Sequence, residues 1–347
     1  MKGIAIVLPG KVEPEGLLVR ERELGSPGPG KLVVRVEATG VSFAEVQMRR
    51  GRYPGQPPFP FVPGYDLAGV VEQVGPEVSG FGVGDRVAVM TLTGAWAARA
   101  EVDAAHAVRI PDGVSSREAA AVIVNGVTAW RMLADARVAQ ADTVLVHGAG
   151  GGVGTLLVQL ARARGARVIG TAREAQRGVI EALGAELVDY RREDVALRVR
   201  QLAPGGVNAV FDHVGGASLR ASYGLLAQRG VLVSYGSAAT RDARGSAWTP
   251  IVRHTLWSLW MNLRPGRRRV RMFDVWGRTE LSLGRAAFQA RFRADLSAVL
   301  ALLERGQLAV TIAASFPLER AGDALRLHES GTTSGKILLE PGSAARV

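Results

Sequence analysis

A glycine-rich turn follows a short apolar segment near the middle of the chain. The stretch VLVHGAGGGVG ends in the pattern Ala149-x-Gly151-x-x-Gly154, with alanine at the first glycine position. In a dinucleotide fingerprint the middle glycine lets the backbone approach a pyrophosphate, and the last lets a helix pack closely on the sheet. The N–H groups of Gly152 and Val153 would then face the anion. A tight turn without a ligand is the alternative, but the strand-turn-helix context favours a cofactor.

Basic residues stand where the second strand of this region ends. An NAD site usually carries an acidic residue about 20 positions after the glycines, where it binds the ribose 2′-hydroxyl. Here that position is Arg173, and Arg177 follows one helical turn later. Guanidinium groups suit a 2′-phosphate, so the pattern predicts NADPH. Glu174 is the counter-evidence, because its carboxylate could turn inward instead.

Metal and thiol chemistry have little support in the composition. The chain contains no cysteine, and its five histidines are scattered without the spacing of metal ligands. Disulfides, thiolate nucleophiles and cysteine-based zinc sites are therefore excluded. We predict a protein without a bound metal.

Two kinds of segment must position these residues. At 347 residues the chain exceeds the size of a usual single core, so two domains are expected. Residues 1–125 read as short β segments broken by turns. From residue 143 onward strands alternate with helices, which predicts a doubly wound parallel sheet with right-handed crossovers. After about residue 280 two helices and a strand close the chain.

The charge raises a nucleic-acid hypothesis. The formal net charge is +11, and the densest basic cluster is Arg264, Arg267, Arg268, Arg269 and Arg271. Clustered basic residues can neutralise phosphates, but a solvated connector is the favoured interpretation, so no nucleic-acid partner is predicted. The short N-terminal apolar run lacks signal-peptide features, and glycines interrupt the longest uncharged run. We expect a soluble, cytoplasmic protein without a membrane span.

Longer motifs along the chain resemble one family. They are GVSFAEVQMRRGRYP (40–54), PGYDLAGVVEQVG (63–75), GDRV (84–87), NGVTAW (125–130), the glycine turn, GAELVDYRRED (184–194), VFDHVGG (210–216) and SGKILLEPG (334–342). Together they resemble the medium-chain dehydrogenase/reductase superfamily. Within it the chain is most similar to the zinc-independent quinone oxidoreductase branch, with its VAT-1-like proteins and related polyketide enoyl reductases. The similarity covers nearly the whole chain.

The resemblance implies an α/β fold with two domains. A GroES-like, β-rich catalytic domain would form from residues 1–125 and 280–347, with a Rossmann NADPH-binding domain inserted at 126–279. It also implies a homodimer. Zinc-dependent relatives carry a cysteine ligand where this chain has Ser42 and a His-Glu pair where it has Tyr65 and Asp66, which agrees with the metal-free prediction.

The resemblance assigns further residues to the cofactor. Arg177 and Tyr190 match positions that surround the 2′-phosphate in relatives. Thr128 would lie beside the nicotinamide, with a helix-capping role as the alternative. The predicted cofactor-binding set is completed by later residues of the chain: Ser234, Gly236, Ser237 and Lys336.

Three hydrogen-bond donors are the predicted catalytic residues: Ser42, Tyr53 and Asn125. Hydride delivery leaves negative charge on an oxygen, and without zinc such donors must stabilise it. The resemblance places them in a cleft between the domains. Tyr53 could instead be a loop aromatic, and Asn125 could form a turn with the following glycine. Glu45 is left out as a possible surface charge, and water is an alternative proton donor.

One later segment predicts an apolar helix. Thr249 followed by Pro250 is typical of a helix start, and the helix should run to Leu263. Its apolar residues favour one face, namely Val252, Leu256, Trp260 and Leu263, widened by Trp257 and Leu259. Two interpretations stay open: this face packs in the core, or it walls the substrate cleft and favours a bulky apolar acceptor.

The sequence thus predicts an NADPH-dependent, zinc-independent reductase of quinones or α,β-unsaturated carbonyls. An enoyl-thioester reductase of polyketide or fatty-acid assembly is the first alternative. A non-catalytic NADPH-binding adaptor is the second, because no strong acid/base constellation is visible in the sequence.

Overall fold

The computed structural model describes residues 1–236, 248–277 and 284–342. The chain divides into two compact units, one formed by Met1–Val127 with Gly284–Val347 and the other by Thr128–Leu283. Each unit contains its own main β-sheet and its own apolar core.

The secondary structure follows the two regimes predicted from the sequence. The first part of the chain contains β1 (Lys2–Val7), β2 (Leu18–Glu23), β3 (Lys31–Val41), α1 (Phe43–Arg49), β4 (Asp66–Val74), β5 (Arg86–Met90), β6 (Arg99–Asp103), β7 (Ala107–Arg109) and α2 (Ser116–Asp135). The middle part contains β8 (Thr143–His147), α3 (Gly152–Ala163), β9 (Arg167–Ala172), α4 (Arg177–Ala182), β10 (Ala185–Asp189), α5 (Val195–Leu202), β11 (Val207–Asp212), α6 (Ala217–Gly224), β12 (Leu226–Ser234), α7 (Trp248–Leu263) and β13 (Arg269–Met272). The last part contains α8 (Arg285–Glu304), β14 (Ile312–Pro317), α9 (Ala321–Ser330) and β15 (Lys336–Glu340).

The unit built from the two chain ends is β-rich. Its seven-stranded sheet has the order β14-β15-β3-β4-β5-β7, with β6 also paired to β3. The long strand β3 pairs antiparallel with β4, β6 and β15, so it brings the beginning and the end of the chain together. Val34 and Val71 are fully or almost fully buried on these strands, and Trp96 is buried in a second cluster beside them.

The unit from the middle of the chain is a six-stranded parallel sheet in the order β10-β9-β8-β11-β12-β13. Its central strand β8 is a continuous apolar run, as expected for a strand covered on both faces. The helices α3, α5 and α6 pack around it through buried side chains such as Leu157, Val199 and Leu219. The predicted α/β class, with a β-rich part and a doubly wound parallel sheet, is confirmed.

The helix predicted over residues 250–263 is present as α7, and of the two interpretations left open for its apolar face the structure tests core packing. Met261 is 6% exposed and Trp257 packs against the apolar core of the parallel-sheet unit. Leu256 and Trp260 are 61% and 53% exposed. The core interpretation therefore fails for the predicted face, because α7 is apolar on two sides and periodicity alone does not tell which side meets the sheet. Neither α7 nor any other helix of the described residues is long and apolar enough to cross a membrane.

Candidate functional site

The glycine turn joins β8 to α3 with the geometry that the fingerprint requires. Gly148 has a φ of +67°, a conformation that L side chains rarely adopt. A Cβ on Gly154 would lie 2.2 Å from the carbonyl oxygen of Gly148, so only glycine lets α3 begin this close to the turn. Ala149 keeps a φ outside the left-handed region, is fully buried and donates its N–H to the carbonyl of Thr171 at 3.0 Å. Alanine is thus compatible with the first fingerprint position.

The amino end of α3 fits a bound anion. Gly151 is the N-cap residue, and no side chain caps the helix there. The helix therefore begins with the N–H groups of Gly152 and Val153, which have no partner within the helix itself. A Cβ on Gly151 would meet only the Gly148 carbonyl oxygen at 3.3 Å, so the space over this residue is open. This open backbone at the positive end of a helix dipole suits a phosphate group.

Arg173 and Tyr190 come together beside this turn. They follow β9 and β10, the two strands that lie next to β8 on one side of the sheet. Parallel strands end at the same edge, so both residues lie at the edge where the glycine turn begins. The Nε of Arg173 donates to the hydroxyl of Tyr190 at 3.1 Å, and Tyr190 is 47% exposed. The pair presents a cation and a hydroxyl to solvent, as a 2′-phosphate would require.

Arg177 is held by carboxylates of its own segment. Its guanidinium donates to both oxygens of Glu174, at 2.6 and 2.8 Å, and to Glu181 at 2.8 Å. These bonds to Arg177 lower the pKa of Glu174 below its ordinary value. These bonds use three of the five guanidinium N–H groups of Arg177, so a phosphate would have to bind the remaining two or compete with the carboxylates. Binding of the 2′-phosphate by Arg177 stays a prediction. The Glu174 carboxylate, which was the counter-evidence to NADPH, bonds to Arg177.

Two of the later cofactor residues lie at the end of β12. Ser234 ends the strand and is 4% exposed, and the N–H of the next residue, Tyr235, donates to the Asp212 carbonyl at 3.0 Å. A Cβ on Gly236 would lie 2.9 Å from the carbonyl oxygen of His213, so the chain passes close to the end of β11 there. Ser237 lies outside the described residues.

Asn125 and Thr128 both lie inside α2, three residues apart. The turn interpretation of Asn125 with Gly126 is therefore wrong, and so is the capping interpretation of Thr128. A Cβ on Gly126 would lie 2.8 Å from a methyl group of Val299, so this glycine serves close packing of α8. Asn125 and Thr128 are each 6% exposed, and their roles toward substrate and cofactor stay predictions.

Ser42 and Glu45 form a capping box at the start of α1. The Ser42 N–H and hydroxyl both donate to Oε2 of Glu45, at 2.8 and 2.6 Å, and the Ala44 N–H donates to the Ser42 hydroxyl at 3.2 Å. Ser42 is half-buried, whereas Glu45 is 1% exposed. The hydroxyl predicted as a catalytic donor is thus bonded to a carboxyl group beneath it.

Glu45 is the functional candidate that the sequence interpretation missed. It is not a surface charge, because the apolar face of α1 turns its side chain inward. Burial raises the pKa of Glu45 from 4.5 to about 7, although the bond from Ser42 and the charge of Lys336 oppose that change. Its Oε1 is buried without a hydrogen-bond partner among the described residues. The Ser-x-x-Glu spacing of a capping box was the available signal.

Asp66 on β4 and Lys336 on β15 form a buried ion pair across β3, the strand that lies between them in the sheet. Lys336 Nζ donates to Asp66 Oδ2 at 3.3 Å, and the Gly40 N–H donates to Oδ1 at 2.7 Å. Lys336 is 4% and Asp66 is 1% exposed. Lys336, predicted to bind the cofactor, therefore has an anionic partner in its own unit, and that partner also acts electrostatically on Glu45.

Tyr53 lies in the proline-rich loop, and its hydroxyl is hydrogen-bonded to the hydroxyl of Tyr65. The two rings meet edge to face with their centroids 5.6 Å apart. Tyr65 is 4% exposed and Tyr53 is half-buried. Because Tyr65 directly precedes Asp66, this contact links the Tyr53 hydroxyl to the strand that carries the buried ion pair.

Comparison with known families matches both parts of the chain. A family model described as an alcohol dehydrogenase GroES-like domain matches residues 28–139. A second, described as a zinc-binding dehydrogenase, matches residues 183–339.

Individual relatives extend this match. The human synaptic vesicle membrane protein VAT-1 homolog is 33% identical over 327 residues, covering 91% of this chain and 80% of the relative. A mycocerosic acid synthase-like polyketide synthase of Mycobacterium tuberculosis is 35% identical over 92% of this chain, which corresponds to 14% of that longer protein. The structure of the Escherichia coli quinone oxidoreductase complexed with NADPH aligns with a TM-score of 0.84 and 28% identity, over 97% of this chain and 100% of that chain.

Proposed function

The chain belongs to the medium-chain dehydrogenase/reductase superfamily, and from that premise we propose that it is an NADPH-dependent reductase of quinones or α,β-unsaturated carbonyls. The family resemblance and the GroES-like part of the predicted fold are thereby confirmed, and the relatives support an oxidoreductase. The observation that carries the proposal is the pairing of Arg173 with Tyr190 beside an uncapped glycine turn.

The residues of the parallel-sheet unit fit NADPH. The amino end of α3 would hold the pyrophosphate, and Arg173 with Tyr190 would hold the 2′-phosphate that distinguishes NADPH from NADH. Thr128, Ser234 and Gly236 would border the remainder of the cofactor. NADPH supplies a hydride when bound.

The residues of the β-rich unit supply the proton that must follow the hydride. The pKa of Glu45 is about 7, so a substantial fraction of its carboxyl groups hold a proton near neutral pH. When Glu45 is protonated, the bond reverses, so that Glu45 Oε2 donates and Ser42 Oγ accepts. A proton then passes from Glu45 Oε2 to Ser42 Oγ as the Ser42 hydroxyl gives its own proton to the substrate oxygen, and Glu45 is left as a carboxylate that accepts from Ser42 again. The 2.6 Å contact between these oxygens is short enough for that transfer. Tyr53 and Asn125 act as the other donors to the oxygen.

Zinc does not fit the positions where zinc-dependent relatives hold it. Asp66 already pairs with Lys336 and the Gly40 N–H, Tyr65 bonds to Tyr53, and Ser42 bonds to Glu45. A serine hydroxyl and a tyrosine hydroxyl are poor zinc ligands beside thiolate and imidazole. We therefore assign no step to a metal.

An enoyl-thioester reductase is the second candidate. The identity of 35% to a segment of a polyketide synthase favours it, since that relationship is as strong as the one to the VAT-1 homolog. The same donors would serve, because reduction of an enoyl thioester also leaves charge on a carbonyl oxygen. A homodimer and a cytoplasmic location stay predictions.

A screen of NADPH oxidation against quinones, enones and enoyl thioesters tests the proposal. We expect turnover with a quinone or an enone, and a loss of turnover in Glu45→Gln while NADPH binding is retained. Asp112→Asn, which changes an exposed carboxylate, is the matched control. Turnover with enoyl thioesters alone selects the second candidate, and NADPH binding without turnover on any class contradicts a catalytic function.

A further inference from the structure

Four polar side chains form a buried hydrogen-bond network beneath the glycine turn. They are His147 at the end of β8, Thr171 on β9, Asp212 at the end of β11 and Ser222 on α6. Their exposed fractions are 8%, 3%, 0% and 1%. No step of the proposed reaction uses them, although burial of a carboxylate is costly unless it is hydrogen-bonded. Because β8, β9 and β11 are parallel, this buried network joins strand ends at the edge of the sheet where the glycine turn begins.

Asp212 sets the direction of the bonds in the buried network. Its Oδ1 accepts from the N–H groups of Val214 and Gly215 at 2.8 and 3.0 Å. Its Oδ2 accepts from the hydroxyls of Ser218 and Ser222 at 2.7 and 2.8 Å. Four donated hydrogen bonds favour the ionised carboxylate, which only accepts. The single hydrogen of the Ser222 hydroxyl is therefore directed at Asp212.

The tautomer of His147 follows from that bond. Its Nε2 lies 3.0 Å from Ser222 Oγ, and because the serine hydrogen points to Asp212, Nε2 carries the ring proton and donates. Its Nδ1 lies 3.2 Å from Thr171 Oγ1 and is then the acceptor. Burial lowers the pKa of His147, although the charge of Asp212 opposes that change, so the ring is neutral near pH 7. The imidazole thus transmits the direction set by Asp212 to the hydroxyl of Thr171.

Thr171 connects the buried network to the glycine turn. Its hydroxyl donates to His147, and its hydroxyl oxygen accepts from the Gly148 N–H at 3.3 Å. The Thr171 carbonyl accepts from the Ala149 N–H at 3.0 Å. The Gly148 carbonyl in turn accepts from the Gly151 N–H at 2.9 Å, which closes the turn just before α3. Thr171 therefore holds two successive N–H groups of the turn.

Two other side chains pack directly on the bare backbone of the turn. A Cβ on Gly148 would lie 2.4 Å from Cε1 of His213, and a Cβ on Gly150 would lie 2.4 Å from Nε2 of Gln176. Gln176 is 9% exposed. Because close-packed atoms do not move independently, a shift at Thr171 is passed to the backbone that would meet the pyrophosphate.

We propose that Asp212 is a positioning residue for the coenzyme. Through Ser222, His147 and Thr171 it orients the hydrogen bonds that hold the glycine turn in the shape that binds the pyrophosphate. This inference rests on the proposed binding of NADPH at the turn. The pyrophosphate is common to NADPH and NADH, so Asp212 acts on both coenzymes alike, whereas Arg173 acts on the 2′-phosphate of NADPH alone.

Asp212→Asn tests the proposal, because it reverses the bonds of the buried network with little change in side-chain size. The two backbone N–H groups retain the side-chain oxygen, so the amide nitrogen faces Ser222 and donates to it. The Ser222 hydroxyl then donates to His147 Nε2, the ring proton moves to Nδ1, and Nδ1 donates to Thr171. Nitrogen NMR of the labelled full-length protein should show this change of tautomer. Calorimetry should show the Kd of NADPH and of NADH rising together by about two- to tenfold, as expected for a misdirected hydrogen bond.

Two variants at Thr171 keep the proposal testable if Asp212→Asn does not fold. Thr171→Val removes the hydroxyl with little change in shape, and it should raise the Kd of both coenzymes by a similar factor. Thr171→Ser keeps the hydroxyl and should retain the Kd of the parent. Ser218→Ala is the matched control, because it removes a donor to the same oxygen of Asp212 but lies outside the path to the turn. It should keep the His147 tautomer and both Kd values.

Coenzyme binding by the parent separates this inference from the proposed function. A parent that binds neither coenzyme contradicts the proposed function and, with it, the inference. If the parent binds NADPH, the inference alone is overturned by an unchanged His147 tautomer or unchanged Kd values in Asp212→Asn. A loss confined to NADPH, or an equal loss in Ser218→Ala, also overturns it. Equal losses in Thr171→Val and Thr171→Ser would indicate a packing role instead.

Discussion

The two units use the same residue types in opposite ways. In the β-rich unit, Glu45, Asp66 and Lys336 are buried, and each meets its partners in a dry environment. In the parallel-sheet unit, Arg177 and its acidic partners are well exposed to water. Buried charges interact strongly and are costly to leave unpaired, whereas exposed pairs contribute little. Under the proposed function, the buried charges of the first unit serve stability and proton transfer, and the exposed charges of the second serve coenzyme selection.

Removing the lysine of the buried pair should have the largest effect. Lys336→Met leaves the Asp66 carboxylate buried without its cation, and we expect a loss of about 3–5 kcal/mol in the free energy of unfolding. Arg177→Met removes an exposed cation and should cost less than about 1 kcal/mol. Denaturant unfolding of both variants measures the contrast. Equal losses of unfolding free energy in Lys336→Met and Arg177→Met would contradict the prediction that the buried ion pair stabilises the protein more than the exposed ones.

Glu45 should make stability depend on pH. Its pKa is raised from 4.5 to about 7 in the folded state, so between these values the folded protein binds a proton that the unfolded chain does not. Its contribution is therefore fully present below pH 4.5 and is lost as the pH rises through 7, by about 3 kcal/mol in total. Glu45→Gln should lack this loss, and the difference in unfolding free energy between the two proteins should grow from pH 4.5 to 8.

A difference that stays constant over that pH range would contradict a raised pKa. The control is Glu174→Gln, because Arg177 lowers the pKa of that exposed carboxyl. The stability difference between this variant and the parent should change little from pH 5 to 8, since the Glu174 carboxyl is ionised in both states there.

Selectivity between coenzymes should depend on one arginine more than on the other. Arg173→Ala removes the guanidinium that bonds to Tyr190, and it should weaken NADPH binding by about 1–3 kcal/mol with little change for NADH. Arg177→Ala should have a smaller effect, since Glu174 and Glu181 already bind that side chain. Titration calorimetry with both coenzymes measures the two effects. Equal losses of NADPH and NADH affinity in Arg173→Ala would refute the 2′-phosphate assignment.

The smallest effect should come from the exposed side of α7. Trp260 is 53% exposed, so Trp260→Ala should change the free energy of unfolding by no more than about 1 kcal/mol. Met261, its neighbour on the packed side, is 6% exposed, and Met261→Ala should cost about 2–5 kcal/mol. Thermal unfolding of the two variants compares the faces directly. A larger loss of unfolding free energy for Trp260→Ala than for Met261→Ala would show that the Trp260 side of α7 is the buried one.

Local patterns were sufficient for much of the molecule. The glycine spacing at 149–154 was sufficient to predict a tight turn in which the backbone packs closely. The alternation of strands and helices after it was sufficient to predict the parallel sheet. The absence of cysteine excluded thiolate zinc sites. These features depend on residues that are close together in the sequence, so a local pattern is sufficient to predict them.

Tertiary structure decided the features that depend on burial and on distant partners. From the sequence, Ser42 was predicted as a hydrogen-bond donor and Glu45 as a possible surface charge. Packing of α1 buries the Glu45 carboxyl and raises its pKa. Lys336 meets Asp66 across 270 positions because β15, β3 and β4 are neighbours in the sheet. The face of α7 that meets the core could not be predicted, since both sides are apolar and only the position of the sheet selects one of them. Sequence sets the chemistry of each side chain, but its dielectric environment and its partners come from the assembled fold.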